Sequence, residues 1–160
     1  MKAQSGFTLV ELMIVVGIIG IIMTIAIMNF TQTNDKFTVE SYTKEIYSIL
    51  MRARNDAANS NTQFRVTLAA NQVKTHQDTN GNGLEDAGES TTTKSYPRFA
   101  IQFATSPIIF DRRGIVTAVT NQTISIINYS ANAKPQVNCI TVAQTRINMG
   151  LMTGGACVQQ

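Results

Sequence analysis

The sequence predicts an α+β fold: a long N-terminal helix, one half of membrane length and the other amphipathic, packed on an antiparallel β-sheet. Three observations carry this. Residues 7–30 are 24 positions with a single charge, Glu11. Apolar residues then recur at steps of three and four as far as Ala57. Beyond Asn61 the pattern changes to short alternating runs separated by Asn, Gly, Pro and Asp, as in strands joined by turns.

As a helix, the first run extends about 36 Å at about 1.5 Å per residue, enough to cover a hydrocarbon core about 30 Å thick. Only Lys2 and the α-amine precede it, and Lys36 and Lys44 follow, so charge counting does not decide its orientation. A cleaved secretory signal is the rival reading: Thr24-Ile25-Ala26 fits a small-x-small site, and the product would begin at Ile27. Against it, the apolar run continues through Met28 and Phe30, and Glu11 lies near its start. A charged acid at the centre of a bilayer costs about 2.5 kcal/mol or more, so Glu11 reads as functional unless it snorkels to the headgroups.

The helix is expected to continue past the membrane. Val39, Tyr42, Ile46, Ile49, Leu50, Ala53 and Ala57 form one apolar stripe, with Lys44, Glu45, Arg52, Arg54 and Asp56 between them on exposed faces. Asn59-Ser60-Asn61 is a stop signal. Strands are expected at 63–68, 72–77, 98–103, 107–110, 115–119, 123–129 and 137–142, with strand also on either side of the 78–89 loop. The length suits one soluble domain over 31–160.

Few chemistries remain open to such a chain. No nucleophile elbow, phosphate-binding loop or dinucleotide fingerprint occurs, and His76 is the only histidine, with no cysteine beside it. The expectation is a protein that is not an enzyme. Cys139 and Cys157 lack the C-x-x-C spacing of zinc or thioredoxin-like sites. Outside the cytoplasm they can pair, closing a loop worth about 3 kcal/mol; inside it they would be two free thiols. Net charge is +3, and from Ser90 onward six basic residues face one acid, Asp111. That half can meet nucleic acid or an anionic surface, or simply be a solvated face.

Residues 78–89 match a twelve-residue calcium loop. Asp78, Asn80 and Asn82 would offer side-chain oxygens, Leu84 its carbonyl, Asp86 a direct or water-mediated contact and Glu89 a bidentate carboxylate, with Gly83 at the turn. The competing reading is a metal-free hairpin tip, since Asn80-Gly81 and Asn82-Gly83 are turn signals in their own right.

Ser5-Gly6-Phe7-Thr8-Leu9-Val10-Glu11-Leu12 resembles the leader of type IV prepilins and type II secretion pseudopilins. The resemblance implies that a prepilin peptidase removes residues 1–6 by cutting between Gly6 and Phe7, that Phe7 is N-methylated, and that residues 7–30 stay in the inner membrane with 31–160 outside the cytoplasm. It further implies that Glu11 pairs with the new α-amine of a neighbouring subunit. Inside a low-dielectric bundle a misregistered Glu11 would stand unpaired, at about 3–5 kcal/mol, so this acid would set register. The family usually has a proline where this chain has Met28, which removes the reason for a kink there.

The order of elements is similar to the GspH/FimT family of pseudopilins and minor pilins. The 78–89 loop, Ile108-Ile109-Phe110-Asp111-Arg112-Arg113-Gly114 and a closing strand Cys139-Ile140-Thr141-Val142 carry that likeness. It implies a minor structural subunit of a type IV pilus or type II secretion pseudopilus whose partners are other pilins or pseudopilins. Some FimT-like pilins capture DNA with a C-terminal arginine-rich loop. The matching stretch here keeps Arg146 alone, with Arg112 and Arg113 as further candidate contacts. A secreted or singly anchored domain unrelated to pili is the third reading.

Overall fold

In the computed structural model, residues 7–117 and 121–159 are described, apart from the side chains of 25–29. The cleavage residue Gly6 and the Met28 side chain therefore lie outside what is described. Helix α1 (Leu9–Ser60) runs unbroken for 52 residues. Thr8 caps it, its hydroxyl accepting from the Glu11 amide at 3.3 Å, and Glu11 is the acid of the first turn, where the helix dipole favours negative charge. Asn61, in the left-handed region at φ 52, ends it.

The two halves of α1 differ as the sequence predicts. Every described side chain from Leu9 to Thr24 is exposed. Among the described residues no helix is long and apolar enough to cross a membrane; the expected span runs through 25–29. In the second half Val39, Ile46, Leu50, Ala53 and Ala57 are buried, with Tyr42 and Ile49 packed against the same core. Two polar residues share that face. Thr43 bonds the Val39 carbonyl at 2.8 Å, and the Glu40 carboxylate accepts the Gln136 amide at 2.9 Å.

Among the described residues nine strands follow, all antiparallel: β1 (Gln63–Ala69), β2 (Gln72–Asp78), β3 (Thr91–Ser95), β4 (Ala100–Phe103), β5 (Ile108–Phe110), β6 (Asn121–Ile127), β7 (Cys139–Ala143), β8 (Ile147–Thr153) and β9 (Ala156–Gln159). The single sheet expected from the sequence is two. One has the order β3-β2-β1-β5, the other β4-β6-β7-β8-β9. The helix packs chiefly on β1 of the first and β8 of the second, so its stripe closes a core shared by both. Val66, Phe110, Ile124, Ile140 and Val142 are fully buried there, beside an edge-to-face pair of Tyr42 and Tyr96 with centroids 4.8 Å apart.

Other expectations are corrected. The described part of 115–119 forms one isolated bridge, Phe110 to Val116, and no strand. Residues 98–99 precede β4, and Asn128, at φ 68, ends β6 before Tyr129. The segment at Cys139 is not the last strand, because β8 and β9 follow it. Gly150 and Gly154-Gly155 hid them, since glycine weakens a strand signal. Gly154 and Gly155 form the two-residue hairpin turn, both at positive φ, and β9 runs back along β8 with Thr153 opposite Ala156.

Candidate functional site

Three groups of sequence-predicted residues sit at three places. The first is the start of α1. Phe7 is 83% exposed and Glu11 lies one turn inside the helix on an exposed face. Among the described residues Glu11 has no ion-pair partner. Around and beyond it stand Leu9, Val10, Met13, Ile14, Ile18, Ile21 and Ile22, all exposed. A single acid on an apolar rod presents a surface that only a partner or a lipid phase can cover.

The second group is the β2–β3 loop, fastened by its own bonds. The buried Asp78 carboxylate accepts the amides of Gly81 at 2.7 Å and Gly83 at 2.9 Å, with Arg65 at 3.8 Å. Asp86 accepts the side-chain amides of Asn80 at 2.7 Å and Asn82 at 2.6 Å. The oxygens of Asn80 and Asn82 accept the amides of Asn82 and Leu84, as in Asx turns. Glu89 accepts the Thr79 amide and hydroxyl and the Asp86 amide, and lies 2.7 Å from His76 Nε2. The His76 contact and the backbone amides hold the Glu89 carboxyl at a pKa of about 2.

In this arrangement the oxygens of Asp78, Asn80, Asn82, Asp86 and Glu89 are turned to internal donors, and the Leu84 side chain projects into solvent. Among the described residues no three His, Cys, Asp or Glu side chains form a group able to hold a metal ion. As arranged, these oxygens serve as acceptors for the loop's own donors, the bonding that a hairpin tip uses. The His76–Glu89 contact escaped the sequence reading. Strand register held the signal: His76 stands opposite Thr91, two residues beyond Glu89 and on the same alternation.

The third group is the end of the fold where α1 finishes. Arg54 donates to the Thr145 carbonyl at 3.0 Å, and a Cβ on Gly114 would stand 2.8 Å from the Arg54 carbonyl oxygen. The Val116 amide donates to the Gln144 carbonyl at 3.0 Å. These contacts bring the turn bearing Arg112 and Arg113 to the turn bearing Arg146. Arg112 and Arg146 are exposed. Arg113 is exposed as well, and its guanidinium lies 2.8 Å from the Asp111 carboxylate. Burial pushes the Asp111 carboxyl up, but the Ile115 amide and Arg113 outweigh it and hold the group below its ordinary range. In the second sheet Cys139 on β7 and Cys157 on β9 are joined in a disulfide with Cα atoms 6.0 Å apart.

Two family models match this chain in succession. Residues 1–27 match the prokaryotic N-terminal methylation motif, and residues 43–145 match the type II transport protein GspH. The chain belongs to the GspH family. Its fold places it beside known members of the pilin class: the type IV minor pilin FimU of Pseudomonas aeruginosa, at 16% identity and a TM-score of 0.55, covers 81% of this chain and 97% of its own. The minor pseudopilin EpsH of the Vibrio cholerae type 2 secretion system, also 16% identical, has a TM-score of 0.52 over 74% of this chain and 98% of its own. At those identities the likeness is one of fold. A fimbrial protein of Pseudomonas aeruginosa is 44% identical over 55 residues, 34% of this chain and 36% of the relative, so about a third of that protein's length is matched.

Proposed function

We propose that this GspH-family chain is a minor structural subunit, a minor pilin or pseudopilin, of a type IV pilus or a type II secretion pseudopilus, inserted through the first half of α1, and that it carries no catalytic activity. One observation bears most of the weight. A continuous helix leaves its apolar half bare around a single capped acid while its second half buries one apolar face in the core. Burying that bare half against other helices or lipid is the outcome the physics favours. In this reading prepilin peptidase removes residues 1–6 and exposes the α-amine of Phe7. The helix anchors the subunit in the inner membrane with the β-domain outside the cytoplasm, where a disulfide persists. Glu11 then recruits the amine of an adjoining pilin or pseudopilin. Mass spectrometry of the subunit isolated from membranes tests it. A chain beginning at methylated Phe7 is expected; one beginning at Met1 or Ile27 would refute it.

A second reading, DNA binding on the same scaffold, draws on the meeting of the Arg112 and Arg146 turns beside Arg54. Contacts there would be to phosphates, non-specific and steeply salt-dependent. Gel shifts at low salt test it: Arg112→Ala with Arg146→Ala should abolish retardation, and no retardation of the unmutated protein would end this reading.

A further inference from the structure

Asn80-Gly81 and Asn82-Gly83 are the only two Asn-Gly steps in the chain, and they fall in one exposed loop. Such steps carry intrinsic chemistry. The backbone nitrogen of the glycine, having lost its proton to solvent base, attacks Cγ of the preceding asparagine. The bond from Cγ to the side-chain nitrogen breaks, ammonia leaves, and a cyclic imide forms. Water then opens the ring to aspartate or isoaspartate. Glycine permits the attack because it has no side chain to hinder its nitrogen.

Here both nucleophiles and both leaving groups are engaged. The nitrogens that would attack, Gly81 N and Gly83 N, each donate to a different oxygen of the same buried carboxylate, Asp78. Deprotonating either would forfeit a charge-assisted hydrogen bond and place a negative charge against another. The amides that would leave, Asn80 Nδ2 and Asn82 Nδ2, both donate to Asp86 Oδ2. The side chains are therefore held by their donors while the backbone is held by its own.

We propose that Asn80 and Asn82 are latent deamidation sites which the carboxylates of Asp78 and Asp86 hold in check. Conversion replaces two amide donors facing Asp86 by two carboxylates. The Asp86 bridge then becomes a cluster of like charges, and the loop gains two negative charges and opens. The protection is reciprocal: the bonds that shape the loop keep the asparagines intact, and the asparagines keep the bonds.

Peptide mapping by mass spectrometry tests this on the full chain in detergent, incubated at mildly alkaline pH beside a synthetic peptide of residues 76–91. Each step in the folded chain should deamidate at least about tenfold more slowly than in the peptide, or about 1.4 kcal/mol per step. Asp86→Ala, at an exposed position, should raise both rates with the melting temperature unchanged. Asp78→Asn should bring them closest to the peptide, with retained β-sheet circular dichroism showing that the fold survives. A folded chain that reacts as fast as the peptide overturns the proposal. So does an Asp86→Ala variant that reacts as slowly as the unmutated chain.

Discussion

A Cβ on Gly150 would stand 3.1 Å from the Cys157 sulfur and 2.2 Å from the Val158 carbonyl oxygen. Gly150 lies in the middle of β8, opposite Cys139 on β7 and Gln159 on β9. The disulfide joins β7 to β9 across this strand, so the cross-link closes only where β8 has no side chain.

Gly150→Ala is therefore expected to displace β9 and leave Cys139 and Cys157 as thiols. The loss should approach that of removing the bridge outright, about 3 kcal/mol. Thiol titration of the folded protein and a thermal melt check it. In a Cys139→Ser, Cys157→Ser background the same glycine substitution should cost less, because part of its effect is already gone.

Glu40 is a carboxylate on an otherwise apolar face, and it satisfies the Gln136 amide of the β6–β7 connection. Lys44 lies 3.8 Å from its other oxygen. Glu40→Ala leaves that amide without a partner, a cost of about 1–3 kcal/mol. Chemical denaturation should register the loss, and hydrogen exchange should quicken at Gln136 before it does in β1 or β7.

Leu50 has no exposed surface and sits at the centre of the helix stripe. Leu50→Ala should destabilise the β-domain by about 2–5 kcal/mol, from lost transfer energy and the cavity left behind. Phe37→Ala on the exposed face of the same helix should leave the melting temperature nearly unchanged.

Acid should weaken the β2–β3 loop over a defined window. Glu89 is held at about 2 in the folded chain by His76 and by the amides of Asp86 and Thr79. A carboxyl with a depressed folded value contributes its stability above its unfolded value, near about 4.3, and loses it as pH falls toward the folded one. Melting temperatures should therefore converge between the unmutated protein and Glu89→Gln as pH drops from about 4.3 to about 2. A constant gap across that range would contradict the assignment.

The helix was legible because its stripe is local: Val39, Ile46, Leu50, Ala53 and Ala57 declare their face by spacing alone. The β1–β2 hairpin was legible for the same reason, through Phe64, Val66 and Leu68. Division into two sheets was not, since it depends on β5 returning to β1 and β4 joining β6, pairings that no local alternation records. At the loop, Asp78, Asn80 and Asn82 have a spacing that serves a cation or a set of internal turns equally well. Glu40 was hidden because a charged residue within an apolar stripe reads as solvent-facing until its partner across the fold is known.

The most direct test of the account concerns Glu11. An uncompensated charge in a packed helix bundle costs about 3–5 kcal/mol, so a subunit lacking this acid would leave a neighbour's amine unpaired. Glu11→Ala should remain in the membrane fraction at the unmutated level, keep its disulfide, and fall by more than about tenfold in sheared filaments. Glu11→Ala recovered in filaments at the unmutated level would contradict the claim that this acid joins the subunit to its neighbours.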